Sequence, residues 1–381
     1  MRVCIIYDCL YPHTVGGAER WYRNLSERLA ADGHDVTYLT LRQWDHGDEA
    51  AVRGVRVATV GPRMELYVGG RRRIGPPLVF GLGVLWHLLR HGRRYDVVHT
   101  ASFPYFSLLA VGLLRPLYRF RVVVDWHEFW SRAYWREYLG RPGGRIGWTV
   151  QRLCLRVPQR AFCFSRLYER RLREEGVNGE VVVLEGQFER TAAQEPQSAE
   201  PIVVFAGRHI PEKRPAALVP ALARARKSIP DLRGEIYGDG PDRRKVLDLI
   251  AECGLEEAVE APGFVDGAVV DGALENALCL ALPSRREGYG LVVLEAVSRG
   301  TPAVVVRDDD NAAAELIVEG ENGFVAPSPS PDDLSTAIIR VHQAGQGLRE
   351  STLVWFKRNA ERLSLESSLR VVLRTYSRNG D

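Results

Sequence analysis

The opening stretch MRVCIIYDCLYPHTVGGAERWYRNLSERLAADGHDVTYLT, Met1 to Thr40, sets the architecture. Arg2–Tyr7 is a short apolar run that reads as a buried strand, and a glycine-containing loop follows at Thr14–Gly17. Ala18–Asp32 then places Trp21, Leu25 and Leu29 on one face at helical spacing. Gly33-His34 closes that helix, and Asp35–Thr40 supplies the next strand. Strand, helix and strand in this order begin a doubly wound parallel sheet. The alternation continues with strands at Asp96–Thr100, Arg121–Asp125 and Ala161–Ser165, a helix at Tyr105–Leu114, and a closing strand at Val181–Leu184.

Glu189–Pro201 is polar, holds two prolines and lacks apolar periodicity, so it reads as an interdomain linker. A second strand–helix series follows. Strands are expected at Ile202–Ala206, Gly234–Gly238, Glu257–Ala261, Cys279–Leu282 and Ala303–Val306. Helices are expected at Pro215–Ser228, Asp242–Cys253 and Gly290–Arg299. The pattern predicts an α/β protein of two Rossmann-like doubly wound domains, 1–190 and 191–365, facing a central cleft. A last helix, within 366–381, has the spacing of Leu369, Val372, Leu373 and Tyr376 and is expected to cross back to the first domain.

The 381 residues, 45% hydrophobic and 26% charged, suit a globular chain and exclude disordered or collagen-like classes. The longest apolar stretches, Leu78–Leu89 and Phe103–Leu114, fall short of the ~20 residues that span a bilayer. Met1–Leu10 carries no cleavage-type signal, so a cytoplasmic location is expected, with peripheral attachment at the inner face of the membrane as a variant. None of the six cysteines sits in a CxxC pair, and buried inert thiols are expected rather than disulfides or zinc. The net charge of +3 hides an asymmetry: residues 1–190 carry +10 and residues 191–381 carry −7. A basic first half suits an anionic partner or membrane surface. Arg71-Arg72-Arg73, Arg90, Arg93 and Arg94, with Trp86 and the Phe103–Leu114 run, form a candidate interfacial patch. A solvated basic face above an ordinary core helix is the alternative.

Five stretches could carry chemistry. Gly16-Gly17-Ala18-Glu19-Arg20 follows the first strand, where two glycines let amides approach a phosphate at a helix start; a tight turn is the plainer reading. Gly207-Arg208 through Lys213 follows the first strand of the second half. An arginine fork and a compact lysine there suit a diphosphate, or form a merely solvated loop. Gly238-Asp239-Gly240-Pro241 says little beyond a turn. Ser284 through Ala296 sets Glu287 and Glu295 eight residues apart around Gly288, Tyr289, Gly290 and Leu291. Eight helical residues span ~12 Å, too far for a paired acid and base, so the two carboxylates should serve different parts of one long ligand. Amides at Gly290 and Leu291 could hold phosphate oxygens. Finally, Asp125-Trp126-His127-Glu128 ends a strand with an imidazole that is either structural or catalytic. A P-loop is excluded, and the glycine spacing disfavours a nicotinamide or flavin site.

Taken in order, these motifs resemble the retaining glycosyltransferases of family 4, which have the GT-B fold, over nearly the whole chain. Gly300-Thr301-Pro302, Asn311…Glu315 and Gly320…Asn322-Gly323 add to the likeness. Glu185-Gly186-Gln187 stands where such enzymes often have an Asn-Gly-Val-type turn, and Glu128 where Asp is commoner. The resemblance implies a nucleotide-diphosphate sugar donor bound by the second domain. Arg208 and Lys213 would then hold the diphosphate with Gly207, Glu287 the sugar hydroxyls, and Glu295 the ribose. Phe264 and Val265 would lie near the base, Gly16 and Gly17 near the phosphates, and His127 near the sugar. The acceptor would be a hydroxyl of unknown identity, lipid-linked if the basic patch is real. No cofactor or metal is expected, since no Asp-x-Asp motif stands at a plausible strand end; Asp308-Asp309-Asp310 comes closest. A GT-B sugar-nucleotide epimerase, a glycogen-type phosphorylase and a non-catalytic nucleotide-sugar-binding partner of another transferase are the alternatives. A phosphorylase would need a cofactor lysine from a chain with only four lysines. Nucleic-acid binding has no recognition motif behind it.

Overall fold

The computed structural model describes residues 1–45, 52–68, 71–189 and 192–377. Arg190 and Thr191 of the expected linker, positions 46–51 and 69–70 of the loop before the first basic cluster, the end of the last expected helix from position 378, and the side chain of Arg71 lie outside that description. The chain forms two compact units. One is Met1–Glu185 together with the segment from Ser368 onward, and the other is Gly186–Ser367.

The first unit is built on seven strands: β1 (Arg2–Ile6), β2 (Asp35–Thr40), β3 (Arg56–Thr59), β4 (Val97–Ala101), β5 (Arg121–Trp126), β6 (Arg160–Cys163) and β7 (Val181–Val183). Their order across the sheet is β3-β2-β1-β4-β5-β6-β7, with every pairing parallel. A parallel strand covered on both faces needs apolar side chains on both. The runs Val3–Ile6 and Val122–Val124 are buried throughout for that reason. The covering helices are α1 (Gly17–Ala31), α2 (Gly75–His91), α3 (Tyr105–Leu114), α4 (Arg132–Leu155) and α5 (Arg166–Glu174). Helix α1 buries Trp21, Tyr22, Leu25 and Leu29, the face its sequence spacing predicts. Helix α4 was not legible as such: Gly140, at φ 73°, breaks it, and Pro142 follows.

The second unit repeats the plan with β8 (Ile202–Ala206), β9 (Arg233–Tyr237), β10 (Val259–Gly263), β11 (Cys279–Leu282), β12 (Arg286–Glu287), β13 (Ala303–Val306), β14 (Asp310–Asn311) and β15 (Gly323–Ala326). The main sheet runs β10-β9-β8-β11-β13-β15, while β12 and β14 pair separately. Helices α6 (Leu218–Ala225), α7 (Arg243–Glu252), α8 (Gly267–Asn276), α9 (Leu291–Val297) and α10 (Pro331–Leu363) pack around it. The last helix, α11 (Leu365–Ser377), runs on into the first unit's segment.

The junction falls between Glu185 and Gly186, ahead of the polar stretch expected to link the units. Phe188 is buried, bridges Ser364 and packs edge-on against Phe356. Further along, Arg349 and Lys357 donate to the carbonyls of Gln197 and Gln194. The stretch is thus held against α10 through its backbone, while most of its described side chains stay at the surface. The expected helix at Pro215–Ser228 is shorter, a 3₁₀ turn at Pro215–Ala217 leading into α6. Five cysteines are buried and Cys253 is half-buried, and all six are free thiols. Burial pushes the Cys163 and Cys279 thiols up to about 12, which keeps them unreactive.

Candidate active site

In a doubly wound sheet, strand order reverses at one point, and the loops leaving the two strands there diverge to open a crevice. In the second unit that point lies between β8 and β11. The loop Gly207–Arg214 leaves β8, and Pro283–Gly290 leaves β11. Lys213 Nζ donates to Glu287 Oε1 at 2.5 Å, and the Ser284 hydroxyl donates to the same oxygen at 2.7 Å. The Glu287 side chain is only 8% exposed, so the lysine offsets the desolvation of a carboxylate held in place. Glu287 sits on β12, opposite Asn311 of β14. Asn311 braces this corner by donating to the Ser284 and Val306 carbonyls and accepting from the Ala313 amide. The Arg285 amide donates to the Glu212 carbonyl at 2.8 Å, tying the two loops together. After Lys213 the chain turns through Arg214 at φ 49°, a left-handed conformation uncommon for a residue with a side chain, and Arg214 pairs with Asp308 at 3.1 Å.

Glycines set the spacing of these loops. Gly240, at φ 148°, lies so close to the β8 loop that a Cβ would stand 2.5 Å from the His209 carbonyl oxygen. The Gly238–Pro241 turn is therefore more than a connection: it backs the cationic loop, with the His209 amide donating to the Asp239 carbonyl at 2.8 Å. His209 itself is fully buried beside Phe205, and burial lowers its pKa. Gly290, at φ 98°, caps α9, where a Cβ would stand 2.6 Å from that of Ala313. Arg208 is exposed in its loop. Glu295 is half-buried on α9, and Tyr289 and Leu291 pack against the core beside the half-buried Gly288. Phe264, 74% exposed, follows β10 with the half-buried Val265.

In the first unit, Gly16 is extended, and Gly17 opens α1. His127 directly follows β5 and stacks on Phe164 at 4.6 Å with the ring planes nearly parallel, and Tyr22 is edge-on at 5.8 Å. Its Nε2 is buried without a hydrogen-bond partner among the described residues, and burial lowers the imidazole pKa, favouring the neutral form. Two residues earlier, Asp125 is fully buried and accepts from His99 Nε2 and Trp21 Nε1, each at 2.7 Å. Burial alone would raise the Asp125 pKa, but His99 and these hydrogen bonds prevail and lower it. His99 Nδ1 lies 2.5 Å from the Tyr376 hydroxyl on α11. Sequence reasoning did not single out His99. Its signal was a lone imidazole inside the otherwise apolar strand run Val97–Ala101, which requires a partner once buried. The Asp8–Arg72 ion pair beyond β1 was also missed; Arg72 lies over the Phe103 ring at 4.7 Å and is turned into the fold.

The expected site residues thus fall into two sets, each at the carboxyl ends of strands in its own unit. Lys213 and Glu287 touch directly, and Gly16, Gly17 and His127 belong with α1 and β5.

Two parallel-sheet α/β units of this strand order, with GT-B glycosyltransferases as structural neighbours, make this the GT-B fold. Residues 16–185 match the family described as glycosyl transferase 4-like domain, and residues 187–353 match glycosyl transferases group 1. The chain belongs to the GT4-type glycosyltransferases. It is 31% identical to the alpha-D-kanosaminyltransferase of Streptomyces kanamyceticus over 141 residues, 37% of this chain and 36% of that one. It is 25% identical to the glycogen synthase of Mycobacterium tuberculosis over 362 residues, 90% of this chain and 86% of that one. The solved structure of Anabaena HepE in complex with UDP and glucose superposes with a TM-score of 0.72 at 17% identity, covering 100% of both chains. The chain spans only 36%, 14%, 24% and 18% of the first four curated relatives it matches.

Proposed function

We propose that the protein is a retaining glycosyltransferase that moves a hexosyl unit from a nucleotide-diphosphate sugar to an acceptor hydroxyl. The observation that carries this reading is the Lys213–Glu287–Ser284 cluster at the strand reversal of the second sheet. Breaking the donor's glycosidic bond leaves negative charge on the diphosphate and positive character on the sugar, so stabilising the leaving group is the main electrostatic task. Arg208 and Lys213 are the cations suited to it, and Gly207, Gly16 and Gly17 are the glycines taken to offer main-chain amides to phosphate oxygens. Glu287 accepts hydrogen bonds from sugar hydroxyls, its orientation fixed by Ser284 and Lys213. Gly288, Tyr289, Gly290 and Leu291 line the phosphate and sugar, Glu295 takes the ribose, and Phe264 and Val265 take the base. The unpartnered Nε2 of His127 supplies a hydrogen bond to the transferred sugar.

Attack on the same face as departure, assisted by the leaving phosphate, gives retention without a carboxylate nucleophile. The two cations take the place of a divalent ion, so turnover should survive a chelator. Arg214 pairs with Asp308, which supports this reading only for that one member of the acidic triplet.

The test is calorimetric titration of the purified protein with UDP-, GDP-, ADP- and dTDP-sugars, with UDP-glucose first because the Anabaena neighbour holds UDP and glucose. Binding of one donor, transfer of its sugar and an unchanged anomeric configuration in the first product's proton NMR are expected. Absence of binding by every donor removes the reading, inversion removes the stereochemistry, and activity that needs added Mg²⁺ removes the metal independence. A donor that binds but is never transferred would favour a non-catalytic partner.

A further inference from the structure

The first unit carries a helix face that the described residues leave bare. On α2 and the residue before it, Ile74, Leu78, Leu82, Trp86 and Leu89 are all exposed, Leu82 by 67% and Trp86 by 60%. At 3.6 residues per turn the five lie within an arc of about 120°. The opposite face is core: Phe80, Val84 and Leu88 are fully buried, and Gly81 meets Phe106 of α3 so closely that a Cβ would stand 2.5 Å from that side chain's Cβ. The inner face fixes the helix, so the outer stripe is a surface of the folded protein. The Tyr118 hydroxyl donates to the Leu89 carbonyl at 2.8 Å, which brings the turn after α3, with exposed Leu117, and the last turn of α3, with exposed Leu113, to the same end. Most of the Phe103–Leu114 run is not part of this surface, because Leu108, Val111 and Leu114 are buried.

Positive charge gathers at the carboxyl end of the stripe, whereas near its amino end Arg73 pairs with Glu65 and Arg72 with Asp8. Between Glu65 and Asp125 the sequence holds nine arginines and a single carboxylate, Asp96, which pairs with Arg2 at 2.9 Å. Arg90, Arg93, Arg94, Arg115 and Arg119 are exposed and form no ion pair among the described residues. The Arg90 guanidinium lies over the Trp86 ring at 3.3 Å, an apolar body joined to a cationic head. No described helix is long and apolar enough to cross a membrane. A second copy seated on this face would set arginines against arginines, which argues against a symmetric dimer.

We infer that α2 docks the protein onto an anionic phospholipid surface. The stripe Ile74–Leu89 enters the interface between headgroups and acyl chains, and the arginines at its carboxyl end meet lipid phosphates. This surface stands apart from the sugar-transfer reading and is tested without it.

Co-sedimentation with phosphatidylcholine vesicles, with and without phosphatidylglycerol, reads the contact directly. The full chain should pellet with the phosphatidylglycerol vesicles, and raising the salt should lower binding by at least about tenfold. Leu82→Glu with Trp86→Glu should abolish pelleting while circular dichroism and melting stay unchanged, since both side chains are exposed. Arg90→Ser with Arg93→Ser and Arg94→Ser should weaken it. Tryptophan emission should shift blue on binding, and the shift should shrink in Trp86→Phe. No pelleting of the unaltered chain, equal pelleting on both vesicle types, or undiminished pelleting of the Leu82→Glu, Trp86→Glu variant each overturns the proposal. A dimer in light scattering that those two substitutions convert to monomer, without vesicle binding, would assign the face to a second copy.

Discussion

Glu287 shows how one side chain's burial and its partners define a site. A carboxylate with 8% of its side chain exposed is tolerated because Lys213 and Ser284 both approach one of its oxygens. Glu287→Gln keeps the shape and a hydrogen-bond acceptor for Ser284 but loses the charge. Steady-state kinetics should show turnover lowered by at least about tenfold, ~1.4 kcal/mol of barrier, with a near-normal melting temperature. Near-normal turnover would remove Glu287 from the reaction. Gly290 makes the complementary point about backbone. Its φ of 98° and the 2.6 Å approach to Ala313 leave no room for a methyl group. Gly290→Ala should lower stability by about 1–3 kcal/mol in urea unfolding and weaken donor binding in the same protein. A variant as stable as the parent would show that the loop can move aside freely.

Among the elements, α2 couples an exposed stripe to a titratable inner end. His87 donates to or accepts from the Tyr95 hydroxyl at 2.8 Å, and the His91 ring lies 4.8 Å away. Burial, helped by His91, lowers the His87 pKa from 6.5 to about 4. The unfolded chain therefore binds a proton that the folded chain refuses. The stability due to neutral His87 is complete above pH 6.5 and is lost progressively as pH falls from 6.5 toward 4. His87→Gln should flatten that part of the melting-temperature profile, and an unchanged slope would assign the acid sensitivity elsewhere. Helix α10 acts through Arg349, which is fully buried and donates to the carbonyls of Gln197, Glu275 and Ala277. Burial lowers its pKa to about 10, still charged at neutral pH. Arg349→Met fills the space but leaves three carbonyls without this donor. Chemical denaturation should show a loss of about 2–4 kcal/mol. A loss below about half a kcal/mol would mean that water replaces the guanidinium.

For the molecule entire, the return of α11 matters most. Tyr376 is fully buried in the first unit, although the sequence reaches it only after the second unit is complete. Its hydroxyl continues a chain of polar contacts through His99 to Asp125 and Trp21. Tyr376→Phe keeps the ring and removes one buried hydrogen bond, so calorimetric melting should show a loss of about 1–2 kcal/mol. No change in melting would mean that His99 is satisfied without the phenol.

The alternation of apolar strand runs with amphipathic helices was readable from residue order alone. Asp35–Thr40, Tyr105–Leu114, Ile202–Ala206, Cys279–Leu282 and Ala303–Val306 have the bounds that pattern predicts. Period and burial are local properties: a strand covered on both faces must be apolar wherever it lies in the chain. The cationic loop at Lys213 and the carboxylate at Glu287 were visible as residue types, but the bond between them was not, since 74 positions separate them. Packing alone brought them together, through the reversal of strand order between β8 and β11 and the hydrogen bond from the Arg285 amide to the Glu212 carbonyl that ties their loops. His99 was hidden for the same reason, and for the patch expected around Trp86 and Arg90 only the folded chain showed that the face from Ile74 to Leu89 meets water while most of Phe103–Leu114 is buried. Whether an imidazole finds a partner, or a leucine meets water, depends on neighbours from distant segments, which only the folded chain supplies.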